Sequence, residues 1–269
     1  MPSQTSFVPD PSFDEYRERF AEHFVLERDD AGVIVARMHT HGAEAMWSLE
    51  LHHAIPQLFT TIAADPENKL LIFGGTGDRW LGDQDVDSFG QIQTSPETFR
   101  RESYFKWYKD GLRLQETLVW EVDIPTIALF NGSGLHSEIA LLCDLTLCAD
   151  DAEMMEPHFV FGLAPGDAQF LVFQELMGTK RANYVMYRGK PVTPAEALEW
   201  GLVNEVLPRD QLLPRARELA AGILKQEDII RRMSARLAKR RWRRLLTDDL
   251  EMHLAHEMWG VVGRGGLGS

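Results

Sequence analysis

The stretch Pro125-Thr-Ile-Ala-Leu-Phe-Asn-Gly-Ser-Gly-Leu-His-Ser-Glu-Ile-Ala-Leu-Leu-Cys-Asp-Leu-Thr-Leu-Cys-Ala-Asp150 decides the fold. Two apolar runs flank a short helical segment from His136 to Leu142. Strand, helix and strand in succession make a parallel crossover, the unit of an α/β sheet. The glycines and polar groups between the first strand and the helix sit where such sheets place ligands, beyond the strand ends.

Working outward, Phe24 to Asp29 and Gly32 to His39 read as an antiparallel hairpin that opens the fold. Trp47, Leu51, Ile55, Leu58, Phe59 and Ile62 recur at helical spacing, with Pro56 expected to kink the helix. Lys69-Leu-Leu-Ile-Phe-Gly-Gly reads as a buried strand ending in a glycine-rich turn. A long amphipathic helix is expected from Pro96 to about Glu121, started by Ser95-Pro96 and carrying Tyr104, Trp107, Tyr108, Leu112 and Gln115. From Pro165 onward the pattern is almost entirely helical, and the tail from Gly263 to Ser269 is expected to be loose. The organisation expected is an extension over 1–22, an α/β core over 23–200 and a helical region over 201–269.

The 269 residues suit one large α/β domain with a helical appendage, and 44% apolar with 26% charged residues suits a folded chain. A net charge of -13 opposes nucleic-acid and anionic-membrane partners. Two cysteines, Cys143 and Cys148, exclude a disulfide framework and suit a reducing compartment. The start of the chain lacks the pattern of a secretion signal, so a cytoplasmic location is expected.

Three turns follow expected strands: Gly74 to Asp85, Asn131 to Glu138 and Glu156 to Asp167. Glycine in such turns lets backbone N–H groups approach a ligand and stabilise an oxyanion. A phosphate-binding lysine, a complete dinucleotide fingerprint and a Gly-x-Ser-x-Gly elbow are missing from the sequence. Histidine spacing gives no metal motif, so neither metal nor cofactor is expected. The basic run from Arg231 to Arg244 goes round its helix and reads as a solvated or subunit-facing segment.

The Gly-Thr-Gly of the first turn with Asp85, the run Ile124 to Gly132, Glu138 before Cys143-Asp144, and Gly162-Leu-Ala-Pro-Gly166 together resemble the crotonase (enoyl-CoA hydratase/isomerase) superfamily. The resemblance covers roughly Phe24 to Gly260. It implies a crotonase-like superhelix of ββα units, a C-terminal helical trimerisation region, and a homotrimer or dimer of trimers. It usually implies a coenzyme A thioester held by two backbone N–H groups.

The departures narrow the resemblance. Ser133-Gly-Leu-His-Ser137 replaces a run of glycines, Asp83 follows the donor position Gly82, and His158 stands where a hydratase carries its second glutamate. Trp47, His136-Ser-Glu138, Pro157-His158-Phe159, Pro165-Gly-Asp167 and Leu254-Ala-His-Glu257 are similar to 6-oxocamphor hydrolase and related β-diketone hydrolases, which cleave a carbon–carbon bond without coenzyme A. That likeness implies a water-activating dyad of His158 and Asp167, with His136, Trp47 and Glu257 binding or polarising the diketone. Backbone groups at Gly82 and Asp83 and the side chain of Glu138 complete the expected pocket.

The chemistry wants these residue types. Imidazole, with a pKa near 6.5, can take a proton from water at neutral pH, and a carboxylate on its far nitrogen would fix the tautomer, the role expected of Asp167. Each has a plainer reading. Asp167 could cap the helix near Ala168, His136 could cap or pack, Trp47 could be core, and Glu257 could be a surface partner of Arg264. His23, His39, His41, His52, His53 and His253 read as structural. Glu138 supports the alternative of a coenzyme A hydratase or isomerase, and a non-catalytic assembly protein is the third reading.

Overall fold

The computed structural model describes residues 9–263 apart from Thr94, with Gln93 described by its backbone alone. Of the tail expected to be loose, Gly263 ends the last helix, and residues 264–269, Arg264 among them, lie outside the described residues.

After α1 (Phe13–Arg19), strands β1 (Phe24–Arg28) and β2 (Val33–Met38) form the expected antiparallel hairpin. Helix α2 (Leu49–Ala64) runs unbroken through Pro56. Strand β3 (Leu70–Gly75) is buried at every position, as its continuous apolar run requires, and α3 (Val86–Gly90) is capped by the Asp85 side chain. Helices α4 (Pro96–Ser103) and α5 (Lys109–Glu116) belong to one helical stretch interrupted by π turns at Tyr104–Tyr108 and Thr117–Glu121. Its extent follows the apolar spacing, but the π turns are set by packing. The crossover is β4 (Thr126–Phe130), α6 (Ser137–Leu141) and β5 (Leu145–Ala149).

The C-terminal part is helical: α7 (Gln169–Met177), α8 (Thr179–Arg188), α9 (Pro194–Glu199), α10 (Leu212–Ile223), α11 (Asp228–Ala238), α12 (Arg240–Leu245) and α13 (Glu251–Gly263). One short strand interrupts it. Strand β6 (Glu205–Leu207) pairs in parallel with β5, so the sheet runs past residue 200. The six strands lie in sequence order and are parallel from β2 onward. Isolated bridges Trp47–Gln84, Gly134–Met154 and Met154–Val192 add pairing beyond the sheet, as ββα units require.

The sheet ends are fastened by side chains. Asn131 accepts from the Gly75 N–H and donates to the Gly77 and Arg79 carbonyls, each at 2.9 Å, tying the turn after β4 to the turn after β3. Trp80 is fully buried between Phe73 and Phe130, burial worth roughly 2–3 kcal/mol for such a ring. The basic run is divided: Arg236, Arg240, Arg241 and Arg244 are exposed, as expected of a solvated segment, while other members hold the helices on the core. Lys239 is wholly buried and donates to the Val122 carbonyl at 2.8 Å, Arg232 meets Asp123 at 2.6 Å, and the exposed Arg241 grips Glu175 in bidentate fashion. No described helix is long and apolar enough to cross a membrane.

Candidate active site

The turns beyond β3, β4 and β5 meet α5 and α13 around one cavity, whose lining includes Trp47, His52, Gln115, His136, His158, Asp167 and Glu257. His136 immediately precedes α6 in a left-handed backbone conformation, φ 54° and ψ 47°, and its side chain makes no capping bond. A non-glycine residue held there is strained by about 1–3 kcal/mol, so its surroundings must fix it. They do. The Trp80 indole N–H donates to the His136 carbonyl at 3.2 Å, and the Trp47 ring lies against the imidazole with centroids 3.9 Å apart and planes tilted by 35°. Trp47 stands just before α2, held by hydrogen bonds with the backbones of Asp83 and Asp85. It is neither core alone nor the start of the helix.

Asp167 is the centre of the cluster. Its Oδ2 lies 3.1 Å from His136 Nδ1 and 3.4 Å from His158 Nε2, while Oδ1 accepts from the Gln169 N–H at the start of α7. Asp167 thus touches both imidazoles and an N–H at the start of α7, although the cap residue of that helix is Ala168. The expectation that Asp167 would bind the far nitrogen of His158 needs correction. That nitrogen, Nδ1, donates to Glu156 Oε1 at 2.8 Å, and the same oxygen accepts from the His158 backbone N–H. Glu156 fixes the tautomer, and Nε2 faces Asp167 and, at 3.8 Å, Glu257.

Glu257 is buried on α13 rather than paired at the surface, and Gly166 makes its room: a Cβ there would stand 2.3 Å from Glu257 Cβ. Glu138 is fully buried and hydrogen-bonded through Oε1 to His136 Nδ1 at 2.9 Å. It is absent from the cavity lining and lies behind the imidazole. Asp83 points away, largely exposed and paired with Arg79 at 3.2 Å. The Gly82 N–H is already given to the Ala45 carbonyl at 2.6 Å, and that of Leu135 to Leu81 at 3.1 Å. The Gly82 N–H is thus not free to be the expected oxyanion donor, while the Asp83 carbonyl supports the site by accepting from the Trp47 N–H.

The electrostatics follow from burial of many charges together. Burial alone would depress both imidazoles, yet the carboxylates outweigh it. Asp167, Glu156 and Glu257 raise His158 well above its ordinary value, and Glu138 with Asp167 raise His136. Burial would push Asp167 up, but His158 and His136 hold it below the usual range. For Glu138 and Glu257 burial wins, lifting them to about 7 and about 8.

Three further residues contact the cluster or line the cavity. Glu156 sits two residues before His158 across Pro157, a spacing that could have signalled it. Gln115, on α5, donates to the Asp167 carbonyl at 2.8 Å and was legible only as part of an amphipathic face. His52 lines the cavity, its Nδ1 donating to the Lys106 carbonyl at 3.1 Å, and burial lowers its pKa to about 4.

Comparisons with known proteins agree with this architecture. The family model for enoyl-CoA hydratase/isomerase matches residues 28–258. Hydroxycinnamoyl-CoA hydratase-lyase of Pseudomonas fluorescens is 28% identical over 209 residues, 76% of this chain and 73% of that protein. A probable enoyl-CoA hydratase of Mycobacterium bovis is 26% identical over 244 residues, covering 89% and 91%. Among solved structures, a β-diketone hydrolase from the cyanobacterium Anabaena sp. PCC 7120, bound to (S)-3-oxocyclohexyl acetic acid, superposes with a TM-score of 0.84 at 29% identity over 91% of this chain and 96% of that one. With its mostly parallel sheet and C-terminal helices, the chain belongs to the enoyl-CoA hydratase/isomerase family, the crotonase superfamily.

Proposed function

We propose that this chain hydrolyses a carbon–carbon bond of a 1,3-diketone without coenzyme A. The observation that carries the reading is the convergence of two imidazoles on Asp167 in the cavity, with Glu138 buried behind one of them. A hydratase needs that glutamate free to meet its substrate, and the N–H groups of Gly82 and Leu135 are here already given to backbone carbonyls. The likeness to the Anabaena β-diketone hydrolase supports the same reading, since its ligand is a keto acid, the class of product that opening a cyclic diketone gives.

Water beside Nε2 of His158 gives a proton to that nitrogen as its oxygen adds to one carbonyl carbon, while Glu156 stabilises the imidazolium formed. The tetrahedral alkoxide then collapses. The bond to the central carbon breaks, and its electron pair becomes an enolate delocalised onto the second carbonyl oxygen. The proton on His158 passes to that carbon, leaving a carboxylic acid and a ketone. His136, kept protonated by Glu138 and Asp167, has Nε2 left to donate to one oxygen, and the protonated Glu257 carboxyl can donate to the other. A donor placed on an oxyanion is worth about 10²–10³ in rate.

The test is loss of enolate absorbance when the protein is mixed with cyclic and linear 1,3-diketones, with His158→Ala slowing turnover by about a hundredfold or more. The names of the curated relatives favour the second reading, a coenzyme A hydratase. Hydration of crotonyl-type thioesters with no diketone consumed would establish that reading and overturn the first.

A further inference from the structure

We propose that His136, Glu138 and Asp167 form a binding site for one first-row divalent cation of the zinc or cobalt type, and that filling it arrests the reaction centre. No spacing in the sequence announces such a site, because Asp167 joins the other two only through the fold. One ligand atom from each residue lies within 4.8 Å of the others. Nδ1 of His136 is 2.9 Å from Glu138 Oε1 and 3.1 Å from Asp167 Oδ2. Two donors at about 2.1 Å from one cation stand about 3.4 Å apart in a tetrahedron and about 3.0 Å apart at right angles, so the two separations from Nδ1 need open by at most about 0.5 Å to share an ion.

The surroundings are short of positive partners. Glu138 Oε2 and Gln115 Oε1 are buried acceptors with no hydrogen-bond partner. Both side chains belong to the cluster, since Gln115 Nε2 lies 3.4 Å from Glu138 Oε1. The protein's own filling for this space is a proton on Nδ1, which satisfies one carboxylate well and the second less well. A divalent cation bound by a neutral imidazole and two carboxylates leaves the trio uncharged. One nitrogen and two oxygens suit zinc, cobalt or manganese better than magnesium, which prefers all-oxygen sites with several waters. The ligands are held in place beforehand, His136 by Trp47 and Trp80 and Asp167 by its bond at the start of α7. His136 and Asp167 both line the cavity, which gives the ion its way in.

An ion at this position takes Asp167 away from His158 and puts positive charge beside Nε2, where the reaction must place its own. The arrest rests on the hydrolase reading; the binding does not. Co²⁺ titrated into the metal-free protein should give visible absorption that saturates at one equivalent and is displaced by Zn²⁺. X-ray absorption of the zinc-loaded wild type should show one imidazole nitrogen among oxygen donors at about 2.0–2.2 Å. Glu138→Gln and His136→Asn should each weaken binding at least tenfold, while His256→Asn, an exposed histidine on α13, leaves it unchanged. The absence of saturable binding, a spectrum with two or more imidazoles or any sulfur, or full affinity in both variants would overturn the site. The wild-type spectrum decides even if a variant fails to fold. Metal binding by a protein that turns over no diketone when metal-free would remove the hydrolase reading and keep the site, diketone turnover by the metal-free protein that zinc at one equivalent leaves unchanged would overturn the arrest, and turnover with no metal binding would keep the hydrolase reading and remove the site.

Discussion

Glu156→Gln isolates the part of the mechanism that the fold alone revealed. Glu156 Oε1 accepts from both the backbone N–H and Nδ1 of His158, and a glutamine oxygen can accept the same two bonds. The substitution therefore keeps the tautomer and removes a charge. At 2.8 Å and an effective dielectric near 20, that charge attracts an imidazolium by about 6 kcal/mol. Residual screening and the remaining carboxylates reduce the effect, and opposite charges this close commonly move a pKa by about 1–3 units. The sign is fixed. Glu156 helps to raise His158, so the neutral imidazole that acts as base appears only above its ordinary pH range, and removing Glu156 brings it back down. A shift of one unit makes the neutral base about tenfold more abundant at low pH and a weaker proton acceptor at high pH. In a diketone assay from pH 5 to 9, the kcat/KM profiles of variant and wild type should cross, the variant faster on the acid side and a few-fold slower on the alkaline side. A variant slower at every pH, with an unmoved midpoint, would refute the reasoning and leave Glu156 as a structural partner.

Other substitutions separate roles in the same way. Asp167→Asn should lower kcat at least tenfold with little change in KM or melting temperature, because an asparagine oxygen can still accept at the start of α7 while both imidazoles lose their shared counter-charge. Equal losses of activity and stability would instead point to capping. Glu257→Gln should stabilise the protein above neutrality. The carboxyl of Glu257 keeps its proton to about pH 8 in the fold, whereas an unfolded chain loses it near 4.5, so native stability falls as pH rises between those values and then levels. Glutamine removes that penalty, on the order of a few kcal/mol, and the gain in melting temperature should be present at pH 9 and absent at pH 4. Gly166→Ala places a methyl group against Glu257 Cβ and within 2.8 Å of the His253 carbonyl, and should cost about 1–3 kcal/mol in urea unfolding together with activity.

What was legible in the sequence depended on how local the cause was. Strands β3 and β4 are buried throughout, so their runs of apolar residues announce them without reference to any neighbour. The three-residue β6 exists because β5 offers it an edge, and its own Glu-Val-Leu says nothing of that. The π turn at Tyr104–Tyr108 is similarly invisible, though it leads directly into the part of α5 that supplies Gly111, Leu114 and Gln115 to the cavity. The site followed the same rule. His136, His158 and Asp167 stand on turns after expected strands, and they line one cavity. The place of Gln115 and the true orientation of Asp167 depend on a helix packed across the cavity and were not legible.

The imbalance of charge explains why the missing partners matter. Two imidazoles, His136 and His158, share their burial with four carboxyl groups, Glu138, Glu156, Asp167 and Glu257. If every group were ionised, the cluster would carry two negative charges in excess, a state that burial makes costly. The two carboxyls that burial raises to about 7 and about 8 are two that can take up protons and bring the sum to zero. Near neutral pH the balance therefore favours charged imidazoles, with protons taken up by the carboxyls that burial raises. Turnover must first free His158 of its proton, and the carboxylates make that ring the stronger base of the two: Glu156 and Glu257 face it, Glu138 faces His136, and Asp167 stands between them. The proton that His136 needs as a donor is held by its own pair, Glu138 and Asp167.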